Sequence, residues 1–272
     1  MWDTFESRLE ITADLVAETG LRVGMGGEAA EPTASDLPLI KDAQGNPFIP
    51  GSSLRGVLRS HVERIVRTLE NSAGDGKGAC NPVVEKEWCI TKDQMAELRD
   101  QARREGDLWL AEQVWEKSCR VCQVFGSPWL ASRVKVADLH LIGETTVEMR
   151  DGVSIHREKE TVANKYDFEA VPAGTRFRLR IVAENLDEEE RGLLWLGIRE
   201  LERGHIHVGG FKGRGLGQVK LEKLAIKGID AADPEALKAY LLRGEMKPIS
   251  PEEADRWLEA LLTKIGSGGE RC

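Results

Sequence analysis

The chain has 272 residues, enough to bury a sizeable core as one large domain or two small ones. With 41% hydrophobic and 31% charged residues it has the composition of a globular protein, and no apolar run is long enough to span a membrane. A net charge of -8 excludes a protein that is basic all over but not one with a local basic surface, and the acidic start, Met1–Glu6, has no leader pattern, so the expected compartment is the cytoplasm.

Residues 8–24 open the chain as a strand, with Leu9, Ile11, Ala13 and Leu15 alternating with polar residues. A loop over 25–38 follows, and in it Asp36 sits between Ser35 and Leu37-Pro38, where a turn residue is the plain expectation. Leu39-Ile40-Lys41 reads as a short strand ending in a turn at Gln44-Gly45-Asn46-Pro47. The run Phe48-Ile49-Pro50-Gly51-Ser52-Ser53 then opens a helix, with Ser52 or Ser53 as its cap. Leu54, Val57, Leu58, Val62, Ile65, Val66 and Leu69 form its apolar face. Arg55 and Arg59 lie four apart near its start, where free N–H groups and the helix dipole favour an anion; an ordinary solvated face is the alternative.

Residues 71–126 read as an insertion holding Cys80, Cys89, Cys119 and Cys122, with a charged amphipathic helix over 94–115. Cys119-Arg120-Val121-Cys122 is a C-x-x-C pair, and four thiolates suit a tetrahedral structural Zn2+ that staples a segment too small for its own core. His61 is a substitute ligand or a packed core histidine. A redox pair would need a βαβ setting, which is missing, and buried unligated thiols are the plain alternative.

A strand over 133–142 comes next. Residues 145–174 read as a projecting β-hairpin turning at Asp151-Gly152, with His156, Arg157, Lys159 and Lys165 among acids; a merely solvated hairpin competes with a functional one. A strand over 175–184 and a helix over 187–203 follow. Then His205–Leu221 packs Gly209, Gly210, Gly213, Gly215 and Gly217 around Phe211, Lys212 and Arg214. Such a loop can bring backbone N–H groups against phosphate, and its spacing matches neither common nucleotide-binding loop, which favours a polyphosphate backbone; a flexible turn between strands is the alternative. A strand over 218–226 and helices over 234–242 and 251–265 complete the chain.

Setting aside the insertion and the hairpin, the order is strand, helix, strand, strand, helix, strand. The expected fold class is therefore α+β, a ferredoxin-like (RRM-like) βαββαβ core with a zinc-stapled insertion and a long hairpin thumb. The expected units are residues 1–70 with 127–230 as the core, 71–126 as the cysteine-rich insertion, 145–174 as the thumb and 231–272 as C-terminal helices. Aromatic residues are only 6% and do not gather on a strand, so RNA would be held by its backbone, with weak sequence preference.

Several stretches in order carry a family resemblance: Thr19-Gly20-Leu21-Arg22-Val23-Gly24, Asp36-Leu37-Pro38-Leu39-Ile40-Lys41-Asp42, Pro47-Phe48-Ile49-Pro50-Gly51-Ser52-Ser53-Leu54-Arg55-Gly56, Phe125-Gly126, Val171-Pro172-Ala173-Gly174-Thr175 and the glycine loop. On these the chain resembles the RAMP proteins, and among them the backbone subunit of type III CRISPR effector complexes. The resemblance implies copies stacked along a CRISPR guide RNA beside other effector subunits. It also implies cleavage of the complementary target RNA by attack of its own 2′-OH, with Mg2+ or Mn2+. Asp36 matches the family's catalytic position, as base or metal ligand. Lys41, Ser52, Ser53, Arg55, Arg59, His156, Phe211, Lys212, Gly213 and Arg214 are the positions expected at RNA. Alternatives are a silent structural subunit, a guide-processing ribonuclease using His205 or His207, and an unrelated zinc-stapled enzyme.

Overall fold

The computed structural model describes residues 4–25, 35–70, 73–156, 158–159 and 161–266. Most of the loop expected over 25–38, the first residues and the C-terminal tail therefore lie outside the described residues. In chain order the elements are β1 (Ser7–Ala17), α1 (Gly51–Leu69), α2 (Lys92–Glu105), α3 (Asp107–Lys117), α4 (Arg120–Phe125), β2 (Val134–Val136), β3 (Glu148–His156), β4 (Thr161–Ala170), β5 (Arg176–Glu184), α5 (Glu188–Glu202), β6 (Val219–Asp230), α6 (Pro234–Arg243), β7 (Lys247–Ile249) and α7 (Pro251–Gly266).

Five strands form one antiparallel sheet in the order β2-β5-β1-β6-β7, and β3 with β4 forms a separate hairpin. The period-two pattern of β1 decides its place: Leu9, Ile11, Ala13 and Leu15 are all buried. They stand opposite Ala183, Ile181, Leu179 and Phe177 of β5, so one sheet face is a continuous apolar floor. The inner faces of α1 and α5 cover it, with Leu54, Leu58, Val62, Leu193, Leu194 and Ile198 in the same core. Each such aliphatic side chain contributes about 1.5–3 kcal/mol by leaving water. A Cβ on Gly197 would stand 3.1 Å from Val62, so this glycine lets α5 lie close on α1. The two strand–helix–strand units interleave: β5 lies between β2 and β1, and β1 between β5 and β6.

Six expectations change. The first strand stops at Ala17; beyond it the chain makes only isolated bridges, Leu21 to Val171 and Gly24 to Leu39, so 39–41 is not a strand either. The strand expected over 133–142 is Val134–Val136, followed by single bridges at Leu139 and Leu141. Asp138 leaves the ladder because its Oδ1 accepts the N–H of Gly51 at 2.8 Å, and so Asp138, rather than Ser52 or Ser53, satisfies the start of α1. The helix expected over 94–115 breaks at Gly106, whose φ of 97° ends α2 and starts α3. Lastly, the hairpin does not turn at Asp151-Gly152, which pair inside β3 with Asp167 and Tyr166; β3 runs on to His156 and β4 begins at Thr161. Gly152 is there for space: a Cβ would lie 2.3 Å from the Tyr166 ring.

At the far end of the chain α7 packs on α5, where a Cβ on Gly192 would meet the Trp257 carbonyl at 2.1 Å. Trp195 Nε1 donates to Asp255 at 2.8 Å across the same seam. No helix among the described residues is long and apolar enough to cross a membrane.

Candidate nucleic-acid groove and metal centre

A groove of about 920 Å³ runs between α1, residues 22–25 and residues 205–212. The face of α1 that lines it reads Ser52, Gly56, Ser60 and Arg64 at intervals of four, with Ser53, Val57 and His61 beside them. Because Asp138 and Pro50 take the cap, both serine side chains at the helix start are left on this side, and no acid stands in the first turn. Arg22, His205, His207, Gly209, Gly210 and Lys212 close the other wall. Among the described lining residues there is no carboxylate.

The glycine loop is held to the opposite wall by main-chain contacts. Gly210 N donates to Arg22 O at 2.7 Å and Gly217 N to Gly20 O at 2.9 Å. Gly209 has φ of 84°, and a Cβ there would lie 2.1 Å from Arg22 O, so this position admits only glycine without displacing the wall. Phe211, in the left-handed region at φ 57°, packs edge-on against Phe168 of β4 with ring centroids 4.7 Å apart. The guanidinia of Arg22 and Arg214 each lie 5.1 Å from its centroid, and Arg214 also bonds the Tyr166 hydroxyl. Burial lowers the pKa of Lys212 and of Arg22, in the latter case against the pull of Glu169. The Nε of Arg22 is buried without a hydrogen-bond partner.

Asp36 is exposed at the edge of this groove, one residue before the lining Leu37. It is tied to the root of the hairpin by a reciprocal pair: Asp36 N donates to Asp167 Oδ1 at 2.7 Å, and Asp167 N donates to Asp36 Oδ2 at 3.0 Å. The same strand continues the hold, since Glu169 N donates to Leu37 O at 3.1 Å and Leu39 N to Glu169 Oε2 at 2.9 Å. Lys41 is spent on Glu169, at 2.9 Å.

Of the positions expected at RNA, Ser52, Ser53 and Lys212 line the groove, and Phe211, Gly213 and Arg214 share the loop that walls it. Lys41, Arg55, Arg59 and His156 do not line it. Arg55 donates to Phe125 O, and Arg59 bonds Glu63, the Gly126 carbonyl and Cys122 Sγ, so both turn toward the insertion. His156 stands exposed near the hairpin tip, paired with Thr161. Sequence reasoning passed over Arg22, Ser60 and Arg64 as site residues. The signal for two of them was the four-residue stripe of small and polar positions on α1.

Cys80, Cys89, Cys119 and Cys122 meet on the other side of α1, their sulfurs all within 4.8 Å of one another. Cys119 caps α4 and Cys122 lies in its first turn, while Cys80 and Cys89 come from the irregular segment before α2. A tetrahedron of 2.3 Å metal–sulfur bonds has edges of about 3.8 Å, and Cys80 and Cys122 Sγ lie 3.5 Å apart, too far for a disulfide. Neighbouring S–H groups, Cys119 first, pull the Cys80 thiol far down and the Cys89 thiol to about 7, while Cys119 and then Cys80 push Cys122 up. Four closely packed sulfurs, with the Arg59 guanidinium 3.5 Å from one of them, are positioned to bind a metal ion. His61 is not part of this cluster; its Nε2 lies 3.1 Å from Glu200 Oε2 on the groove side.

A model of the RAMP superfamily matches residues 14–220. Three relatives named CRISPR system Cms endoribonuclease Csm3 are similar over most of their length. The protein of Methanothermobacter thermautotrophicus is 24% identical over 254 residues, 82% of this chain and 87% of its own. That of Methanocaldococcus jannaschii is 25% identical over 240 residues, 82% of each chain. That of Streptococcus thermophilus is 25% identical over 221 residues, 80% of this chain and 89% of its own. The family match begins inside β1 and ends inside β6, so it takes in the groove, the Asp36 segment, the cysteine cluster and the hairpin together, and the chain belongs to the RAMP superfamily.

Proposed function

We propose that this chain is a CRISPR RNA-binding backbone subunit of a type III effector ribonucleoprotein and that it cleaves the paired target RNA. One observation carries the binding half: in a chain of net charge -8, the groove has Arg22, Arg64 and Lys212 on its walls and no carboxylate among its described lining residues. Local potential, rather than net charge, governs attraction of a polyanion. Serine hydroxyls at a helix start and exposed main-chain N–H groups suit phosphate oxygens and carry no base code, so sequence is left to pairing with the guide. The Csm3 names of the relatives agree with this reading.

For cleavage, the ribose 2′-oxygen attacks the adjacent phosphorus and the 5′-oxygen leaves, giving a 2′,3′-cyclic phosphate and a 5′-hydroxyl. Asp36 has one carboxylate oxygen held by Asp167 N, which leaves Oδ1 to take the 2′-proton or to hold a metal. Hard carboxylate oxygens suit Mg2+ or Mn2+, which would neutralise charge building on the phosphate. The remaining parts follow: a ferredoxin-like core, a structural Zn2+ on the four cysteines, the β3–β4 hairpin as a thumb, further copies and other effector subunits as partners, and a cytoplasmic location. The test is expression with the neighbouring genes, extraction of any short RNA from the purified complex, and cleavage of a complementary RNA. Asp36→Ala abolishes metal-dependent cutting while the RNA-loaded complex still forms. A complex without RNA overturns the binding half; undiminished cutting by Asp36→Ala overturns the catalytic half.

A further inference from the structure

Five side chains at and beside the groove form a hydrogen-bonded cluster that phosphate binding alone does not require. Arg64 Nη2 lies 2.8 Å from His61 Nδ1, His61 Nε2 lies 3.1 Å from Glu200 Oε2, and His205 Nδ1 lies 3.1 Å from the same oxygen. Arg203 Nη1 stands 3.4 Å from the other carboxylate oxygen. Arg64, His61 and His205 line the groove, and Glu200 reaches them from α5.

The chemistry of the end groups fixes every proton in between. A guanidinium only donates, so His61 Nδ1 accepts and its proton sits on Nε2. An ionised carboxylate only accepts, so both histidines donate to Glu200. Burial opposes ionisation of Glu200, but the N–H groups of His61 and His205 outweigh it and hold its pKa below the usual range. His61 thus has both nitrogens used. His205 Nδ1 faces Glu200, and in the tautomer that donates there the ring keeps a lone pair on Nε2, for which no described residue offers a donor. Its side chain is 59% exposed.

An acceptor in this position has nothing to gain from a phosphodiester, which offers no donor. In a sugar–phosphate backbone the donor is the ribose 2′-hydroxyl, the group that separates RNA from DNA. We propose that His205 reads a ribose 2′-hydroxyl in the groove, with Glu200 as the positioning residue that sets its tautomer, so that this subunit selects ribonucleotide over deoxyribonucleotide strands. The proposal rests on the groove being the RNA site.

The test measures fluorescence anisotropy of the full-length protein at fixed salt with three strands of one sequence: RNA, 2′-fluoro RNA and DNA. The 2′-fluoro strand keeps the ribose pucker and removes the donor, so the RNA to 2′-fluoro ratio isolates the hydroxyl. One hydrogen bond of ordinary strength gives a contribution of about three- to tenfold to that ratio. In His205→Phe the RNA to 2′-fluoro ratio falls by that factor, and in Glu200→Gln it falls partway. Circular dichroism and melting confirm that both variants are folded. An unchanged ratio in folded His205→Phe overturns the proposal. Equal weakening on RNA and 2′-fluoro RNA also overturns it, since it would mark His205 as a phosphate contact. Failure of the wild type to bind any of the strands refutes the groove assignment instead and is read separately.

Discussion

Gly56 offers a test in which stability and function should move in opposite directions. It is exposed in the second turn of α1, between Ser52 and Ser60 on the stripe that floors the groove. A Cβ built there meets nothing within 4 Å, and the position is exposed, so the helix admits a side chain here. A glycine in a helix interior costs about 0.8–1.0 kcal/mol relative to alanine, and leucine is nearly as good a helix former as alanine. Gly56→Leu should therefore stabilise the protein by about 1 kcal/mol, or roughly 2–4 °C in melting temperature for a chain of this size. The same side chain stands where a strand would cross the helix start, and it buries the serine hydroxyls and helix N–H groups under hydrocarbon. Loss of even one charge-assisted contact corresponds to about tenfold in affinity, or ~1.4 kcal/mol. Calorimetry on the free protein and anisotropy with a single-stranded RNA give the two numbers, and Gly56→Ala should keep the stability gain with a smaller loss of affinity. If Gly56→Leu binds RNA like wild type, the strand does not lie on this face. If it melts lower, the open space beside α1 is filled by something that the geometry does not include.

Other expectations are more direct. Asp167→Ala removes the acceptor for Asp36 N and should slow target cleavage about ten- to a hundredfold with guide RNA retained, whereas Asp167→Asn keeps an acceptor oxygen and should restore most of the rate; equal loss in both would make the charge, not the hydrogen bond, the important feature. Elemental analysis should find one zinc per chain in the wild type and much less in Cys119→Ser. The serine variant should also lose several degrees of melting temperature, because Cys80, Cys119 and Cys122 belong to the main core; full zinc content in that variant would refute a four-sulfur site. Arg22, Arg64 and Lys212 are the lysines and arginines lining the groove, so log Kd against log salt should rise with slope about 2 for a single strand, from ~0.7 per neutralised phosphate. A flat salt dependence would rule out phosphate as the bound group.

The alternating strands and amphipathic helices were legible in the sequence because burial on one face leaves a period in the residues. β1, β5, α1, α5 and α7 all carry it. What was not legible depended on partners distant in sequence. Asp138 takes the helix start that Ser52 and Ser53 were expected to fill, from 87 residues away. The Asp-Gly pair in β3 looks like a hairpin turn by local rules, yet the glycine is needed because Tyr166 lies across it. Arg55 and Arg59 lie off the groove for the same reason. Spacing puts Arg55 and Arg59 on one helical face, but only the fold shows that this face meets the insertion, where Phe125, Gly126 and Cys122 occupy them.

That misplacement explains how an acidic chain can keep a cationic groove. α1 separates two environments. On one side Arg59 and Arg67 share Glu63, and Arg120 is matched to Glu70 and Glu189, so the cations around the four-cysteine cluster are answered by acids. On the other side the described groove wall holds cations alone, with Glu200 reaching it only through histidines that take up its acceptor oxygen. A carboxylate on the groove wall would oppose a strand at every nucleotide it touched, whereas one masked by two N–H donors does not. The acids paired around the four cysteines lie off the described groove lining, and binding of a polyanion depends on the few positions where carboxylates are absent.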